Sequence, residues 1–272
     1  MLKILDNKDV RLSVFLFLSL FLLYSYSAGF QLYSSDTYMN LAVAGHLLKK
    51  GTMNIAGLPI AEEFGYCQDQ GFCVNPTPLG TMLSLWPFIV VEDFYSGNGP
   101  ILSVQDIAHR FRFIDAIYGP FLIAATAAVL YLLLAELGVS RKNSFISVII
   151  FALCTISWAY ARTTFNVNLV TFLLTFSLFS LIRGFKRKNA AWLAAGSLSA
   201  GLMVLSRTDA LFALPFLFLY AFFKLRESRS LKLAQALIIP VSVLMGVFLL
   251  FNQFAYGSLF NLGYSKHSDN FS

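Results

Sequence analysis

Residues 12–33 read LSVFLFLSLFLLYSYSAGFQLY, a nearly continuous apolar stretch that follows the charged residue Arg11. About 20 apolar residues in a helix are needed to cross the hydrocarbon core of a bilayer. The stretch is longer than the apolar part of a signal peptide, and further apolar stretches follow it, so it predicts an uncleaved membrane anchor. The sequence therefore predicts an all-α polytopic membrane protein.

The composition supports this fold class. Hydrophobic residues make up 57% of the 272 residues and charged residues only 12%, whereas about a quarter of a soluble domain is charged. The net charge of +6 is distributed between apolar segments and forms no single basic patch. We therefore expect membrane lipids as partners and no nucleic acid.

The whole chain, residues 1–272, is predicted to form one membrane domain. Seven apolar stretches are long enough to be considered as spans. They are residues 12–33, 113–136, 143–161, 165–183, 190–206, 209–225 and 232–254. The long loop 34–112 is predicted to hold two interfacial helices, at 36–50 and 79–91. The second lies in the apolar run 77–91, which Pro87 interrupts and which is too short for a crossing.

The orientation follows from the lysines and arginines, which accumulate on the cytoplasmic side of membrane proteins. Thirteen of them lie in the N-terminus and in alternate loops. They are Lys3, Lys8, Arg11, Arg141, Lys142, Arg183, Lys186, Arg187, Lys188, Lys224, Arg226, Arg229 and Lys232. This predicts a cytoplasmic N-terminus, with loop 34–112 and tail 255–272 on the extracytoplasmic side.

A lone carboxylate, Asp36, lies just beyond the first span. Together with Ser34 and Ser35 it favours a helix start. The alternative is a general base at the membrane surface, where a low dielectric raises the pKa of a carboxyl group. Tyr38 either packs or stacks on a substrate. His46, three turns after Asp36, is predicted to be an exposed polar position, or else to line the same groove.

Two turns on the predicted outer side hold one arginine each, Arg162 and Arg207. Arginines at span ends serve as interfacial anchors because their side chains reach water. Arg207 is also two residues from Asp209, so a local ion pair is an alternative. The functional interpretation is a site for an anionic phosphate, which guanidinium groups bind in a bidentate manner.

The long loop also holds two cysteines, Cys67 and Cys73. They can form a disulfide if the loop lies outside the cytosol, and otherwise they are free thiols. Glu62 and Glu63 precede them, either as an acid pair on the acceptor side or as part of a solvated loop.

Several stretches follow Asp36 in an order that resembles a known family. They are NPTPLGTMLSLWPF (75–88), LLLAELGVSRKN (132–143), AYARTTFNVNLVTFLL (159–174), AAGSLSAGLMVLSRTDALFALP (194–215) and FNQFAYGSLFNLGYS (251–265). Their order and placement resemble the GT-C glycosyltransferases of the dolichyl-phosphate-mannose–protein mannosyltransferase type. That family shares a module of seven spans with two surface helices in the first outer loop, and the resemblance covers essentially the whole chain.

The resemblance implies a role for each candidate residue. Asp36 would be the catalytic base, and a polyprenyl- or dolichyl-phosphate sugar would be the donor. Arg162 and Arg207 would bind the donor phosphate. The acceptor, a glycan, lipid or protein, would attack the anomeric carbon in one inverting displacement. Groove residues for donor and acceptor would be Tyr38, His46, Asn252 and Tyr264.

The sequence also departs from the family pattern. Relatives often have a second acid beside the first, where this chain has Thr37, so a divalent metal finds little support and no definite cofactor is predicted. Asn166 and Asn168 stand where relatives often carry Glu. Relatives also continue for several more spans, so a missing C-terminal part or a partner subunit is expected.

The alternative function is that of a non-catalytic membrane protein, either a lipid-carrier-binding subunit or a transporter component. A transporter would place polar groups in the middle of the bilayer and often has inverted halves with broken helices. Here the acids Asp115 and Glu136 lie near span ends. This favours chemistry at the surface over passage through the membrane.

Overall fold

The structure, a computed structural model, describes residues 7–29, 35–57, 61, 65–68, 71–74, 79–96 and 104–261. In these ranges the α-helices are α1 Asn7–Ser27, α2 Ser35–Lys50, α3 Leu79–Ser96, α4 Val104–Glu136, α5 Arg141–Leu153, α6 Ser157–Ala161, α7 Asn166–Arg187, α8 Ala190–Ser206, α9 Leu214–Ser228 and α10 Leu231–Tyr256. The 3-10 helix Thr208–Ala213 precedes α9. Strands β1 Tyr66–Gln68 and β2 Phe72–Val74 form an antiparallel hairpin between α2 and α3.

Five helical segments in the described part of the chain are long and apolar enough to cross a membrane. They are Asn7–Ser27, Phe113–Glu136, Asn166–Arg187, Thr208–Ser228 and Leu231–Tyr256. The helix α8 is apolar but shorter. These segments indicate an integral membrane protein with an all-α framework, while the count of seven spans stays a prediction.

The predicted span 143–161 is not one continuous helix. Instead, α5 ends at Leu153 and α6 begins at Ser157. The hydroxyl of Thr155 causes the break locally, because it donates to the carbonyl of Phe151 at 2.6 Å and accepts from the backbone N–H of Ser157 at 3.2 Å. Such side-chain bonds compete with the helical backbone pattern.

The predicted bounds of other spans differ less from those of the observed helices. The first span was predicted to reach residue 33, but α1 ends at Ser27 and residues 30–34 lie outside the described ranges. The second span, predicted from residue 113, is the C-terminal part of α4, which begins at Val104. The predicted span 190–206 coincides with α8, where Asn189 caps the start by accepting from the N–H of Ala191 at 2.9 Å.

Pro87 does not break the helix in which it lies. Helix α3 runs from Leu79 to Ser96 with Pro87 inside it. A proline removes one backbone hydrogen bond, but Leu85 and Ile89 on either side are fully buried in the core. Their packing holds both halves of the helix in place.

Close packing between the later helices depends on small residues. Ser177 of α7 donates to the carbonyl of Gly196 of α8 at 2.9 Å. A Cβ atom at Gly201 of α8 would lie 2.7 Å from Leu244 of α10. Small residues let transmembrane helices approach closely without cavities. The helix pairs α7–α8 and α8–α10 therefore form the central layer of the bundle.

One end of the bundle, which we call the basic end, holds two buried acids paired with arginines. Asp9 of α1 accepts from Nε of Arg141 at 2.7 Å, which joins the starts of α1 and α5. Glu136 at the end of α4 accepts from Nη1 of Arg183 at 3.1 Å. The guanidinium of Arg183 also lies 5.0 Å from the ring of Trp192. The ends of α4 and α7 and the starts of α1, α5 and α8 thus meet here.

The opposite end, which we call the capped end, is covered by α2, α3 and the hairpin. Lys49 of α2 forms an ion pair with Asp93 of α3 at 3.2 Å. Thr81 of α3 donates to the carbonyl of Ser206 at the end of α8, at 3.1 Å. The hairpin packs on the end of α10 through the rings of Tyr66 and Tyr256. Through Thr81 this cap contacts the end of α8, directly before Arg207.

Candidate functional site

The capped end contains a buried carboxylate, Asp115, which is 1% exposed. It lies on α4 beneath the turn that joins α6 to α7. Its Oδ1 atom accepts from the hydroxyl of Thr164 at 2.8 Å, and its Oδ2 atom has no hydrogen-bond partner. A buried carboxylate oxygen without a partner is costly. The site is therefore built around a buried carboxylate with only one of its two oxygens hydrogen-bonded.

The same turn is held from both sides by α4 and α7. Asn168 of α7 donates to the carbonyls of Tyr160 and Thr163, at 2.9 and 2.8 Å. On the other side, a Cβ atom at Gly119 of α4 would lie 2.3 Å from the carbonyl oxygen of Thr163. Only glycine permits this approach. The turn is thus clamped against α4 at the level of Asp115.

Arg162 lies on this clamped turn, at the end of α6. Its Nε atom is buried without a partner, and its guanidinium makes no hydrogen bond with any described residue. The side chain as a whole is partly exposed. Arg162 lies two residues before Thr164, whose hydroxyl binds Asp115, and it forms no ion pair with that carboxylate. The Nη donors of Arg162 are therefore open to an anionic ligand.

Arg207, the second predicted phosphate residue, is engaged differently. Nε and Nη2 bind both carboxylate oxygens of Asp209, at 2.9 and 2.6 Å, and Nη1 donates to Oδ1 of Asn166 at 3.2 Å. The local ion pair considered from the sequence is therefore present. Both arginines are next to the connection between α6 and α7, since Arg162 begins it and Arg207 binds Asn166 at its end. An anion would have to displace Asp209 from Arg207.

Asp36 lies in the first turn of α2, but its side chain is outside the described set. Residues further along the helix are buried against α3 and α4, Thr37 and Asn40 among them. Tyr38 is half buried and packs on the main core. Because α2 contacts α4, the helix whose first turn holds Asp36 and the turn with Arg162 are both next to α4.

His46 is buried at 7% exposure, so the preferred prediction of an exposed polar position is wrong. Its Nδ1 atom lies 3.2 Å from the carbonyl oxygen of Asn54, in the turn after α2. Burial lowers the pKa of His46, and the nearby charge of Lys50 lowers it further, against the opposing effect of the Asn54 hydrogen bond. Residues 52–55 fold back onto α2 and bury the imidazole of His46. The sequence pattern around His46 does not reveal this contact.

Of the two remaining groove residues, Asn252 lies in the described part of the chain. Asn252 is buried and donates to the carbonyl of Leu259 at 3.2 Å, which stabilises the turn after α10. Tyr264 lies outside the described residues.

Cys67 and Cys73 face each other across the hairpin and are joined as a disulfide. Within the described ranges no three His, Cys, Asp or Glu side chains group as metal ligands.

An apolar cavity of about 230 Å³ lies between α3 and α4. Its lining includes Pro87, Phe88 and Val91 of α3, and Phe113 and Ile117 of α4. Val91 and Phe113 are also exposed on the outer surface. The cavity starts two residues before Asp115 on α4.

Asp115 is the site residue that the sequence interpretation missed. It was noted only as an acid near a span end. The signal available was an acid among apolar residues at the level of two arginine-containing turns, but 47 residues separate it from Arg162.

Comparisons of the chain with protein-family models, with curated proteins and with solved structures found no match.

Proposed function

We propose that the chain is a membrane glycosyltransferase, or the N-terminal module of one, that uses a sugar linked to polyprenyl or dolichyl phosphate. The observation that carries the proposal is the guanidinium of Arg162, which has no hydrogen-bond partner among the described residues. It lies at the end of the bundle covered by the segment that begins with Asp36. An arginine with open donors at headgroup depth suits a lipid-linked phosphate.

The proposed reaction is one inverting displacement. The carboxylate of Asp36 takes the proton of the acceptor hydroxyl while the oxygen bonds to the anomeric carbon. The bond between that carbon and the phosphate oxygen breaks, and the electron pair leaves with the phosphate. Arg162 stabilises the negative charge that develops on the phosphate. Arg207 joins it when Asp209 releases its guanidinium.

We infer that the capped end faces the extracytoplasmic side and that the N-terminus is cytoplasmic. The disulfide of the cap supports this, because such bonds persist in oxidising compartments. The arginines of the basic end support it as well, since Arg141 and Arg183 lie where cytoplasmic loops accumulate positive charge. The donor lipid would then lie in the outer leaflet, with the acceptor arriving from outside.

The test is replacement of the proposed base, Asp36→Asn. We expect the rate of sugar transfer from a polyprenyl-phosphate donor to fall by roughly 100-fold or more, the usual contribution of a general base. Ser35→Ala, in the same helical turn, is the control and should keep the rate. The measurement is transfer of radiolabelled sugar by the purified full chain, with a panel of donors and acceptors. An unchanged rate in D36N would remove the base assignment.

One observation favours a second candidate, a subunit that binds the lipid carrier without transferring the sugar. Arg207 is held in a bidentate pair with Asp209, so only one guanidinium is open for charge that develops during transfer. In that case the unaltered chain binds polyprenyl phosphate but transfers no sugar from any donor in the panel.

A further inference from the structure

The turn that carries Arg162 is held mainly by neutral contacts. Gly119 lets the backbone of the turn lie against α4, and Asn168 donates to two carbonyl groups of the turn. These contacts hold the backbone of the turn but none of them reaches the guanidinium of Arg162. The direction of that side chain must therefore be determined by something else.

Three buried polar atoms around this turn have no partner. They are Oδ2 of Asp115, Nε of Arg162 and Oδ1 of Asn168. Two of them are acceptors and one is a donor, so the N–H of Arg162 Nε is the group that either oxygen lacks. The carboxylate also supplies the negative charge that favours a guanidinium nearby. The two charged groups form no direct ion pair, but the hydrogen bond from Thr164 places the carboxylate beside the turn that carries Arg162.

We propose that Asp115 is a positioning residue that holds the guanidinium of Arg162 ready for a phosphate group. This rests on the phosphate site of the proposed function and adds the residue that organises it. Thr164 fixes the carboxylate by donating to Oδ1 at 2.8 Å, and Oδ2 attracts the buried Nε of Arg162. With Nε drawn toward α4, the Nη nitrogens are left for two oxygens of the ligand.

The proposal predicts the sign of a measurable effect. A carboxylate beside an anion site repels the anion, so an acid without a positioning role would weaken phosphate binding. Neutralising such an acid would tighten binding. If Asp115 positions Arg162, neutralising it loosens the guanidinium and weakens binding instead. A purely structural role does not predict this decrease in a folded variant.

The experiment measures binding to the purified full chain in detergent for Asp115→Asn, Arg162→Gln and the double variant. The probes are a polyprenyl phosphate, inorganic phosphate and the neutral polyprenol. Glu136→Gln is the matched control, because it neutralises a buried acid paired with an arginine at the basic end. If D115N does not fold, Thr164→Val replaces it, since valine removes the hydrogen bond to Oδ1 and keeps both charges.

We expect D115N and R162Q each to weaken binding of the polyprenyl phosphate by roughly tenfold, the effect of one charge-assisted hydrogen bond. The double variant should be no weaker than R162Q alone, because Asp115 acts through Arg162. T164V should weaken binding by roughly twofold to threefold, and E136Q should leave it unchanged. The same losses with inorganic phosphate support a site for the phosphate alone, and losses confined to the lipid phosphate support a headgroup site.

Several outcomes overturn the proposal. D115N that binds as tightly as the unaltered chain, or more tightly, removes the positioning role while R162Q can still uphold the phosphate site. Losses that add in the double variant, or that extend to the neutral polyprenol, also remove it. A chain that binds neither phosphate overturns both the inference and the proposed function. Binding that depends on Asp115 without any sugar transfer overturns only the proposed function.

Discussion

At the basic end of the bundle, the buried acids Asp9 and Glu136 each accept a hydrogen bond from an arginine, at 2.7 and 3.1 Å. At the capped end, the equally buried Asp115 forms no ion pair with Arg162 and its Oδ2 atom has no partner, whereas an arginine Nε without a partner occurs at both ends, in Arg162 and in Arg183. A structural ion pair must be complete, because an unpaired buried charge is costly. The incomplete pair at the capped end is therefore the arrangement expected of a site that a ligand completes.

The largest expected effect comes from breaking a complete pair, with Arg141→Met. Asp9 is 1% exposed and would be left buried without its cation. Removing one partner of a buried ion pair costs about 3–5 kcal/mol, and the partial exposure of Arg141 favours the lower value. The measurement is the free energy of unfolding by denaturant in mixed micelles.

The counterpart at the capped end is Arg162→Met. It should cost only about 1 kcal/mol, because Arg162 makes no hydrogen bond with the described residues. The double variant D9N/R141M should recover part of the loss seen in R141M, since it removes both charges. Equal losses in R141M and R162M would erase the distinction between the two ends.

The next effect comes from glycines that allow close packing at each end, Gly119 and Gly184. In G119A the new methyl group would lie 2.3 Å from a backbone carbonyl of the clamped turn, whereas in G184A it would mainly meet the side chain of Leu193 at 2.7 Å. Backbone cannot rotate away as a leucine can. We expect G119A to lose about 2 kcal/mol more than G184A.

The helix preference for alanine over glycine is common to both variants and cancels in this difference. Gly246→Ala, where a Cβ atom would meet nothing within 4 Å, measures that preference alone. Thermal unfolding of the three variants in one detergent gives the ranking. If G119A is no less stable than G246A, the turn with Arg162 is not clamped as described.

The sequence predicted the helices better than the site because helices follow local patterns. The apolar run 190–206 lies between Asn189 and Arg207, so its bounds could be recognised directly. The Arg207–Asp209 pair was also foreseen, since it spans two residues. By contrast, the break after α5 depends on the hydroxyl of Thr155, a single residue inside the run that predicts one continuous span.

The features that define the site depend on contacts between distant segments. His46 is buried because Asn54 folds back onto α2, and Asp115 matters because α4 passes beneath the turn of Arg162. Neither of these two contacts can be predicted from the residue spacing or the composition near His46 and Asp115. Charged residues in apolar surroundings were visible, but which of them meet was not.

A smaller effect is expected from pH, and only at the capped end. Burial lowers the pKa of His46 below its ordinary value of 6.5. The unfolded chain then binds the proton more readily, so stability rises with pH in this window. The stability is present above pH 6.5 and is lost as the pH falls through the lower pKa of the folded state.

The measurement is the thermal midpoint at about pH 7.5 and about pH 5 for the unaltered chain and for His46→Gln, which keeps a donor for the carbonyl of Asn54. The unaltered chain should lose more stability on acidification than H46Q. Equal losses would show that His46 is not what titrates in the cap.

The smallest expected effect on stability is that of Asp209→Asn, and it has the sharpest consequence for the site. The pair of Arg207 and Asp209 is largely open to solvent, with exposures of 33% and 60%. Such pairs contribute about 0–1 kcal/mol, so D209N should unfold at nearly the temperature of the unaltered chain. It would, however, release Arg207 from the carboxylate that occupies two of its nitrogens.

If Arg207 is a second phosphate ligand restrained by Asp209, D209N should bind polyprenyl phosphate roughly threefold more tightly, because one competitor for the guanidinium is gone. The gain should vanish in the double variant D209N/R207Q. Unchanged affinity in D209N would instead assign Arg207 to the capped end as a structural residue. The phosphate would then depend on Arg162 alone, as the open donors of that residue already favour.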